Sequence, residues 1–78
     1  MDAREMFKIL GYEQVKKDGC RIKYEKVDGE CCITFTFLLR GRCFYTDFIY
    51  GKYGASSHCV KQDELKAIFY QAKELGWI

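Results

Sequence analysis

The most reactive side chains in this sequence lie next to one another in Ser56-Ser57-His58-Cys59. A serine or cysteine becomes a nucleophile when a histidine reaches its hydroxyl or thiol and a third group orients that histidine. Neighbours in sequence on a loop rarely meet this geometry, and no Gly-x-Ser-x-Gly nucleophile elbow surrounds them. The segment is therefore interpreted as a polar loop, and we expect the protein not to be an enzyme.

A second chemistry would be zinc binding, because five of the 78 residues are cysteine. Structural zinc sites usually take their ligands from Cys-x2-4-Cys pairs, and this spacing is absent. The candidate ligands are scattered along the chain: Cys31, Cys32, Cys43, His58 and Cys59. An odd number of cysteines without a secretion signal favours reduced thiols that act as small apolar side chains. The sequence thus predicts no metal site and no cofactor.

Two further motifs have ordinary structural explanations. Gly51-Lys52-Tyr53-Gly54 contains two glycines but lacks the Gly-x4-Gly-Lys-Ser/Thr spacing with which a P-loop holds phosphate. We interpret it as a wide connection. Asp63-Glu64 pairs two carboxylates, but acidic residues are typical of the first turn of a helix. Neither motif predicts catalysis.

Helices are predicted at the two ends of the chain, where they would position these residues. Near the N-terminus, apolar residues recur at helical spacing, at Ala3, Met6, Phe7 and Leu10. Near the C-terminus a second stripe is formed by Leu65, Ile68, Phe69, Ala72 and Leu75. Asp2 is placed to cap the first helix. Gly11 and Gly76 are placed to end the two helices, since glycine readily takes the left-handed conformation found there.

Between the two helices the apolar period changes to two, which is typical of strands. Asp18-Gly19, Asp28-Gly29 and Arg40-Gly41 mark short turns. They separate four predicted strands: Glu13 to Lys17, Cys20 to Lys26, Cys31 to Leu39 and Cys43 to Tyr50. The segment from Gly51 to Cys59 has no period and is predicted to be the longest loop.

Two apolar helix faces and one apolar sheet face bury each other best by stacking. The sequence therefore predicts a single α+β domain over residues 1–78, a two-layer αββββα arrangement with both helices on one face of an antiparallel meander. No apolar run approaches the roughly 20 residues that span a bilayer, and the N-terminus lacks the features of a signal peptide. We expect a protein of the cytoplasm that does not enter membranes.

The sheet face without helices is the surface that a partner would contact. We expect Ile33, Phe35 and Phe37 to face the core, since they share one side of the third strand. The fourth strand then exposes one of two sets on the uncovered face: Tyr45 and Ile49, or Phe44, Phe48 and Tyr50. The sequence leaves this choice open, and either choice leaves aromatic side chains uncovered.

Two stretches at each end of the chain carry a resemblance. They are Ala3-Arg4-Glu5-Met6-Phe7 and Leu10-Gly11-Tyr12-Glu13 at the start, and Asp63-Glu64-Leu65-Lys66-Ala67-Ile68 and Glu74-Leu75-Gly76-Trp77 at the close. These stretches resemble small proteins encoded by phages and prophages of Firmicutes-type bacteria. The resemblance implies a bacterial cytoplasm and a mobile-element context, and it transfers no catalytic or binding residue.

Two functions of different classes fit the uncovered face. The first is binding of another protein: a host component, a phage component or a second copy of the chain. The alternative is binding of single-stranded nucleic acid, whose bases stack on aromatic side chains while cations hold the phosphates. The residues predicted to contact such a partner are Arg40, Arg42, Tyr45, Tyr50, Lys52 and Tyr53. A net charge of +2 is low for a nucleic-acid binder, so protein binding is the preferred hypothesis.

Overall fold

The computed structural model describes residues 1–78 and shows the predicted order of elements with one strand added. The elements are α1 (Ala3–Ile9), β1 (Glu13–Lys17), β2 (Arg21–Asp28), β3 (Cys31–Leu38), β4 (Cys43–Tyr50), β5 (Ala55–Ser56) and α2 (Gln62–Glu74). The strands form one sheet in the order β1-β2-β3-β4-β5, and every neighbouring pair is antiparallel. The αββββα arrangement is thus confirmed. The additional strand β5 lies within the segment predicted to be a loop and pairs with β4.

Both helices end as their Leu-Gly-aromatic sequences predict. Gly11 has a φ of 96° and Gly76 a φ of 75°, a region that residues with a Cβ rarely adopt. The residue after each glycine donates its backbone N–H to the carbonyl five residues earlier, at 2.8 Å for Tyr12 and 2.9 Å for Trp77. This hydrogen bond belongs to the Schellman motif. It directs both aromatic rings back towards the core, which Tyr12 joins and Trp77 borders.

The core is aromatic and lies between the helices and one face of the sheet. Phe7 of α1 stacks on Tyr24, with ring centroids 4.1 Å apart, and meets Tyr12, Phe35 and Phe37 at steeper angles. All five rings are at most 1% exposed. Each such aromatic pair adds about 0.5–1.5 kcal/mol to the effect of burial. The cluster therefore holds α1 against β2 and β3.

The buried stripe of α2 is rotated from the predicted one. The sequence places Leu65 and Phe69 in the stripe, but they are 56% and 54% exposed. Glu64 and Gln71 are buried instead. The reason is that two buried tyrosine hydroxyls need hydrogen-bond partners, and these two side chains accept from them. Neither helix is long and apolar enough to cross a lipid bilayer.

Both helices pack on one face of the sheet, as predicted. Phe35 and Phe37 lie on this face and are buried, which confirms their assignment to the core. The register also settles the orientation of β4, because Phe37 pairs with Phe44 and Thr36 pairs with Tyr45. Directly paired residues share a face. Phe44 therefore lies on the helix side, and Tyr45 lies on the face that no helix covers.

Candidate functional site

The segment with the most reactive side chains does not assemble a nucleophile and a base. The side chain of His58 is only 7% exposed, and its Nε2 lies 2.8 Å from Oε1 of Glu64. The hydroxyls of Ser56 and Ser57 and the thiol of Cys59 belong to exposed residues and make no hydrogen bond with the imidazole. Residues 57–59 lie in a loop, as predicted, whereas Ser56 belongs to β5. The side chain of His58 is buried within this loop.

Glu64 organises this corner of the molecule. Its carboxylate accepts hydrogen bonds from the Tyr12 hydroxyl at 2.6 Å and from the backbone N–H of Lys61 at 2.9 Å, in addition to its bond with His58. Burial alone would raise the pKa of Glu64, but these hydrogen bonds outweigh it and hold the pKa below its ordinary value. Burial, reinforced by the neighbouring carboxylate, raises the pKa of Tyr12. Tyr12, His58 and Glu64 are thus joined by hydrogen bonds made within the chain.

The cysteines do not assemble a metal site. No group of three or more histidine, cysteine or acidic side chains is arranged to hold a metal ion, and all five thiols are free. Cys31 and Cys32 are adjacent in β3 and point to opposite faces of the sheet. Cys43 pairs with Leu38 at the other end of that strand.

The sheet face opposite the helices, which we call the open face, is built from four cross-strand rows. The apolar row is Val27, Cys32, Ile49 and Ala55; the acidic row is Glu13, Glu25, Thr34 and Asp47; the basic row is Lys16, Lys23, Thr36 and Tyr45; the end row is Arg21, Leu38 and Cys43. Adjacent rows lie two residues apart along each strand, about 7 Å. The open face therefore carries its charges in parallel bands.

The two charged rows extend onto β1 because of an irregularity in that strand. The pairing of β1 with β2 shifts between Gln14 and Lys16, which is the extra residue of a β-bulge. In a regular strand Gln14 and Lys16 would share a face, whereas the shift places Lys16 beside Lys23 on the open face. Glu13 lies beside Glu25. Each charged row thus contains a directly paired set of like charges.

The centre of the open face is well packed although no element covers it. Thr34 and Thr36 are only 3% and 1% exposed, and they lie on β3, which is paired with a strand on each side. The hydroxyl of Thr34 is 3.5 Å from Oδ2 of Asp47 and donates to it. Tyr45 and Ile49 stay 45% and 37% exposed. A partner would therefore contact a well-packed surface that presents aromatic and apolar side chains.

The cationic residues predicted to contact a partner lie at opposite ends of β4. Arg40 and Arg42 are in the turn between β3 and β4, and Nη2 of Arg42 donates to the carbonyl of Gly76 at 3.2 Å. Lys52 follows the other end of β4. For an eight-residue strand these ends are about 23 Å apart. The structure does not bring these three cations together.

The predicted tyrosines are divided in the same way. Tyr45 lies at the centre of the open face, in the basic row. Tyr50 is on the helix side at the end of β4, where its ring stacks on Tyr53 with centroids 5.8 Å apart. Tyr45 is thus the only one of the six predicted contact residues that belongs to the open face.

Sequence reasoning found part of the charge pattern of the open face and missed the part that lies on β1. The alternation along β2 does place Lys23 and Glu25 on one side, and this signal is present in the sequence. Their neighbours Lys16 and Glu13 depend on the bulge in β1, which the sequence does not mark.

No protein-family model matches this sequence, and neither a curated protein nor a solved structure shows significant similarity to it.

Proposed function

We propose that the protein is a non-enzymatic binding module and that its open face contacts another protein chain. The observation that carries this proposal is that no other part of the chain covers this face, although Val27, Tyr45 and Ile49 are 65%, 45% and 37% exposed on it. Apolar and aromatic side chains set among charged ones are typical of protein–protein contact surfaces. Both helices pack on the opposite face of the sheet, where they complete the core.

The charge of the open face supports a protein partner over a nucleic acid. Its charges sum to zero, three positive and three negative: Lys16, Lys23, Arg21, Glu13, Glu25 and Asp47. Nucleic acids are bound through an excess of cations that replace the counterions of the phosphates. The separation of Arg40 and Arg42 from Lys52 likewise leaves no continuous basic path between these three cations.

We also propose, from the resemblance of the chain ends alone, that the protein is encoded by a phage or prophage and works in a bacterial cytoplasm. Its partner would then be a host protein, a phage protein or a second copy of the chain.

Two tyrosines provide a matched test of the binding surface. Tyr45 is 45% exposed at the centre of the open face, and Tyr53 is 78% exposed outside it. Tagged wild-type protein, Tyr45→Ala and Tyr53→Ala are incubated with bacterial lysate, and retained proteins are identified by mass spectrometry. We expect the wild type and Tyr53→Ala to retain the same partner and Tyr45→Ala to bind it about tenfold less, because central aromatic residues contribute most to an interface.

Equal retention by all three proteins would contradict the proposal, since the open face would then not be the contact surface. A titration with labelled single-stranded oligonucleotides tests the alternative. Binding that weakens steeply with salt and is lost in Tyr45→Ala would assign the open face to nucleic acid instead.

A further inference from the structure

The charged rows of the open face are unfavourable in an isolated molecule. Lys16 lies directly opposite Lys23, and Glu13 lies directly opposite Glu25. Like charges directly opposite each other on neighbouring strands destabilise a sheet. Two such pairs stand side by side at the same edge of the sheet, between β1 and β2.

Three of these four charges also take part in no ion pair inside the chain. The structure contains two ion pairs, one between Lys16 and Asp18 at 3.8 Å and the other between His58 and Glu64 at 2.8 Å. Lys23, Glu13 and Glu25 take part in neither. Opposite charge supplied from outside the molecule would therefore relieve the repulsion within each row.

A second copy of the same chain supplies that charge in the required arrangement. The acidic and basic rows are adjacent and parallel. A half-turn about an axis that runs between them, in the plane of contact, places the acidic row of one copy over the basic row of the other. Glu25 then faces Lys23 of the second copy and Glu13 faces Lys16 of the second copy. By the same two-fold symmetry each of these contacts occurs twice.

The same half-turn brings apolar residues together at the two ends of the face. The apolar row of one copy lies over the end row of the other, so that Cys32 faces Leu38 of the second copy and Ile49 faces Cys43 of the second copy. At the centre, Asp47 faces the hydroxyl of Tyr45 of the second copy, which can donate to the carboxylate. Val27 faces Arg21 of the second copy, where the aliphatic part of the arginine side chain can pack on it. The pattern is therefore self-complementary in charge in its central rows and largely so in hydrophobicity at its ends, as a two-fold interface requires.

We propose that the open face binds a second copy of this chain, sheet against sheet, with the acidic row of each copy on the basic row of the other. This inference rests on the proposed function and names the partner. Two stacked sheets pack about 10 Å apart with strands rotated by about 30°. The acidic and basic rows lie next to the two-fold axis, so the rotation between the two sheets displaces their residues least.

The size of the open face sets the expected affinity. Four strand spacings of about 4.8 Å and seven residue steps of about 3.3 Å give roughly 440 Å² on each copy. Two copies together reach about 900 Å², which is at the small end of specific interfaces and typical of reversible ones. We expect a dissociation constant on the order of 1–100 µM, which rises with ionic strength because the ion pairs are screened.

Charge reversal in the two central positions tests the register directly. Sedimentation velocity compares the wild type with Lys23→Glu, Glu25→Lys and the double variant Lys23→Glu/Glu25→Lys. Each single change sets like charges against each other twice, and we expect it to weaken the dimer about tenfold or more. The double change exchanges the two signs, so the dimer should return to within about threefold of the wild type.

Mixing the two single variants is the sharpest measurement. One variant carries two carboxylates at positions 23 and 25 and the other carries two ammonium groups, so an equimolar mixture is expected to form a heterodimer at least as stable as the wild-type dimer. Lys66→Glu is the matched control, because it alters the net charge like Lys23→Glu but lies on α2, on the other side of the sheet. We expect it to leave the dimer unchanged.

Two results would overturn the inference. The wild type would remain monomeric up to about 1 mM, or it would dimerise equally well in all the charge variants, so that another surface is used. Both results are separate from the capture test with Tyr45→Ala and Tyr53→Ala. A monomer that loses a foreign partner in Tyr45→Ala keeps the proposed function and loses only self-association.

Discussion

The two sides of the sheet differ in whether their polar side chains have partners within the chain. On the helix side, Glu64 accepts hydrogen bonds from Tyr12, from His58 and from a backbone N–H, and no buried side-chain polar atom lacks a partner. On the open face, Lys23 and Glu25 have no ion-pair partner and stand beside residues of the same charge.

The difference separates what holds the fold from what is available for contact. A buried polar group without a partner costs its full desolvation, so the cluster around Glu64 is constrained by stability. An exposed charge is solvated, so like charges can stand together at a small cost in the isolated molecule. A surface of opposite charge, such as that of the proposed second copy, would offset this cost.

The largest expected effect is on the helix side. Glu64→Ala removes the carboxylate and leaves the Tyr12 hydroxyl and the His58 imidazole buried without their common partner. Each buried group left without its hydrogen-bond partner costs about 1–3 kcal/mol, which is about 2–6 kcal/mol for the two. We expect the free energy of unfolding to fall by this amount in urea denaturation. Trp77 reports the transition, since its ring lies 6.2 Å from that of Phe37 in the core.

Two variants serve as controls for this measurement. Glu64→Gln keeps the shape and one acceptor oxygen, so its cost should be about 1–3 kcal/mol, and it remains measurable if the alanine variant does not fold. Glu25→Ala removes a carboxylate from the open face and should change stability by less than about 0.5 kcal/mol. If Glu64→Gln and Glu25→Ala lowered the free energy of unfolding equally, the distinction between the two sides of the sheet would not hold.

A smaller effect is expected from acid, because protonation removes the charge of Glu64 and leaves the carboxyl group in place. The pKa of Glu64 is lower in the folded chain than its ordinary value. Its contribution is therefore fully present above the unfolded pKa of about 4.3 and is lost as the pH falls through the folded pKa. We expect the stability difference between the wild type and Glu64→Gln to be constant above about pH 5 and to shrink in acid. A difference that stays constant down to about pH 3 would show that the charge of Glu64 contributes nothing.

The backbone framework was predictable because its signals are local. Gly11 and Gly76 end helices through their own conformation, and the alternation of β4 fixes the strand Cys43–Tyr50 at the predicted bounds. Turn residues between short strands leave an antiparallel meander as the simplest arrangement. These features need no knowledge of distant parts of the chain.

The features that the sequence did not reveal depend on residues far apart in the chain. The orientation of α2 is set by hydrogen bonds from Tyr12 to Glu64 and from Tyr24 to Gln71, across 52 and 47 residues. A stripe counted from apolar residues alone cannot include the buried Glu64 and Gln71. The charged rows likewise depend on the register at the bulge beside Lys16, and β4 carries aromatic residues on both faces, so its orientation follows only from its pairing.

The smallest expected effect is on the open face, and it has the opposite sign. Lys23→Glu converts the like-charged pair with Lys16 into an opposite-charged one, and cross-strand charge pairs contribute roughly 0.2–1 kcal/mol. At about 0.1 µM protein, a tenth of the lowest expected dissociation constant, the dimer is mostly dissociated, and we expect the free energy of unfolding to rise by about 0.5 kcal/mol. The same substitution is expected to weaken self-association. A lysine whose replacement stabilises the fold but impairs contact is retained for binding, since function often costs stability at such positions. A loss of stability in dilute Lys23→Glu would instead show that this lysine supports the monomer, and the contrast between the two sides of the sheet would not hold.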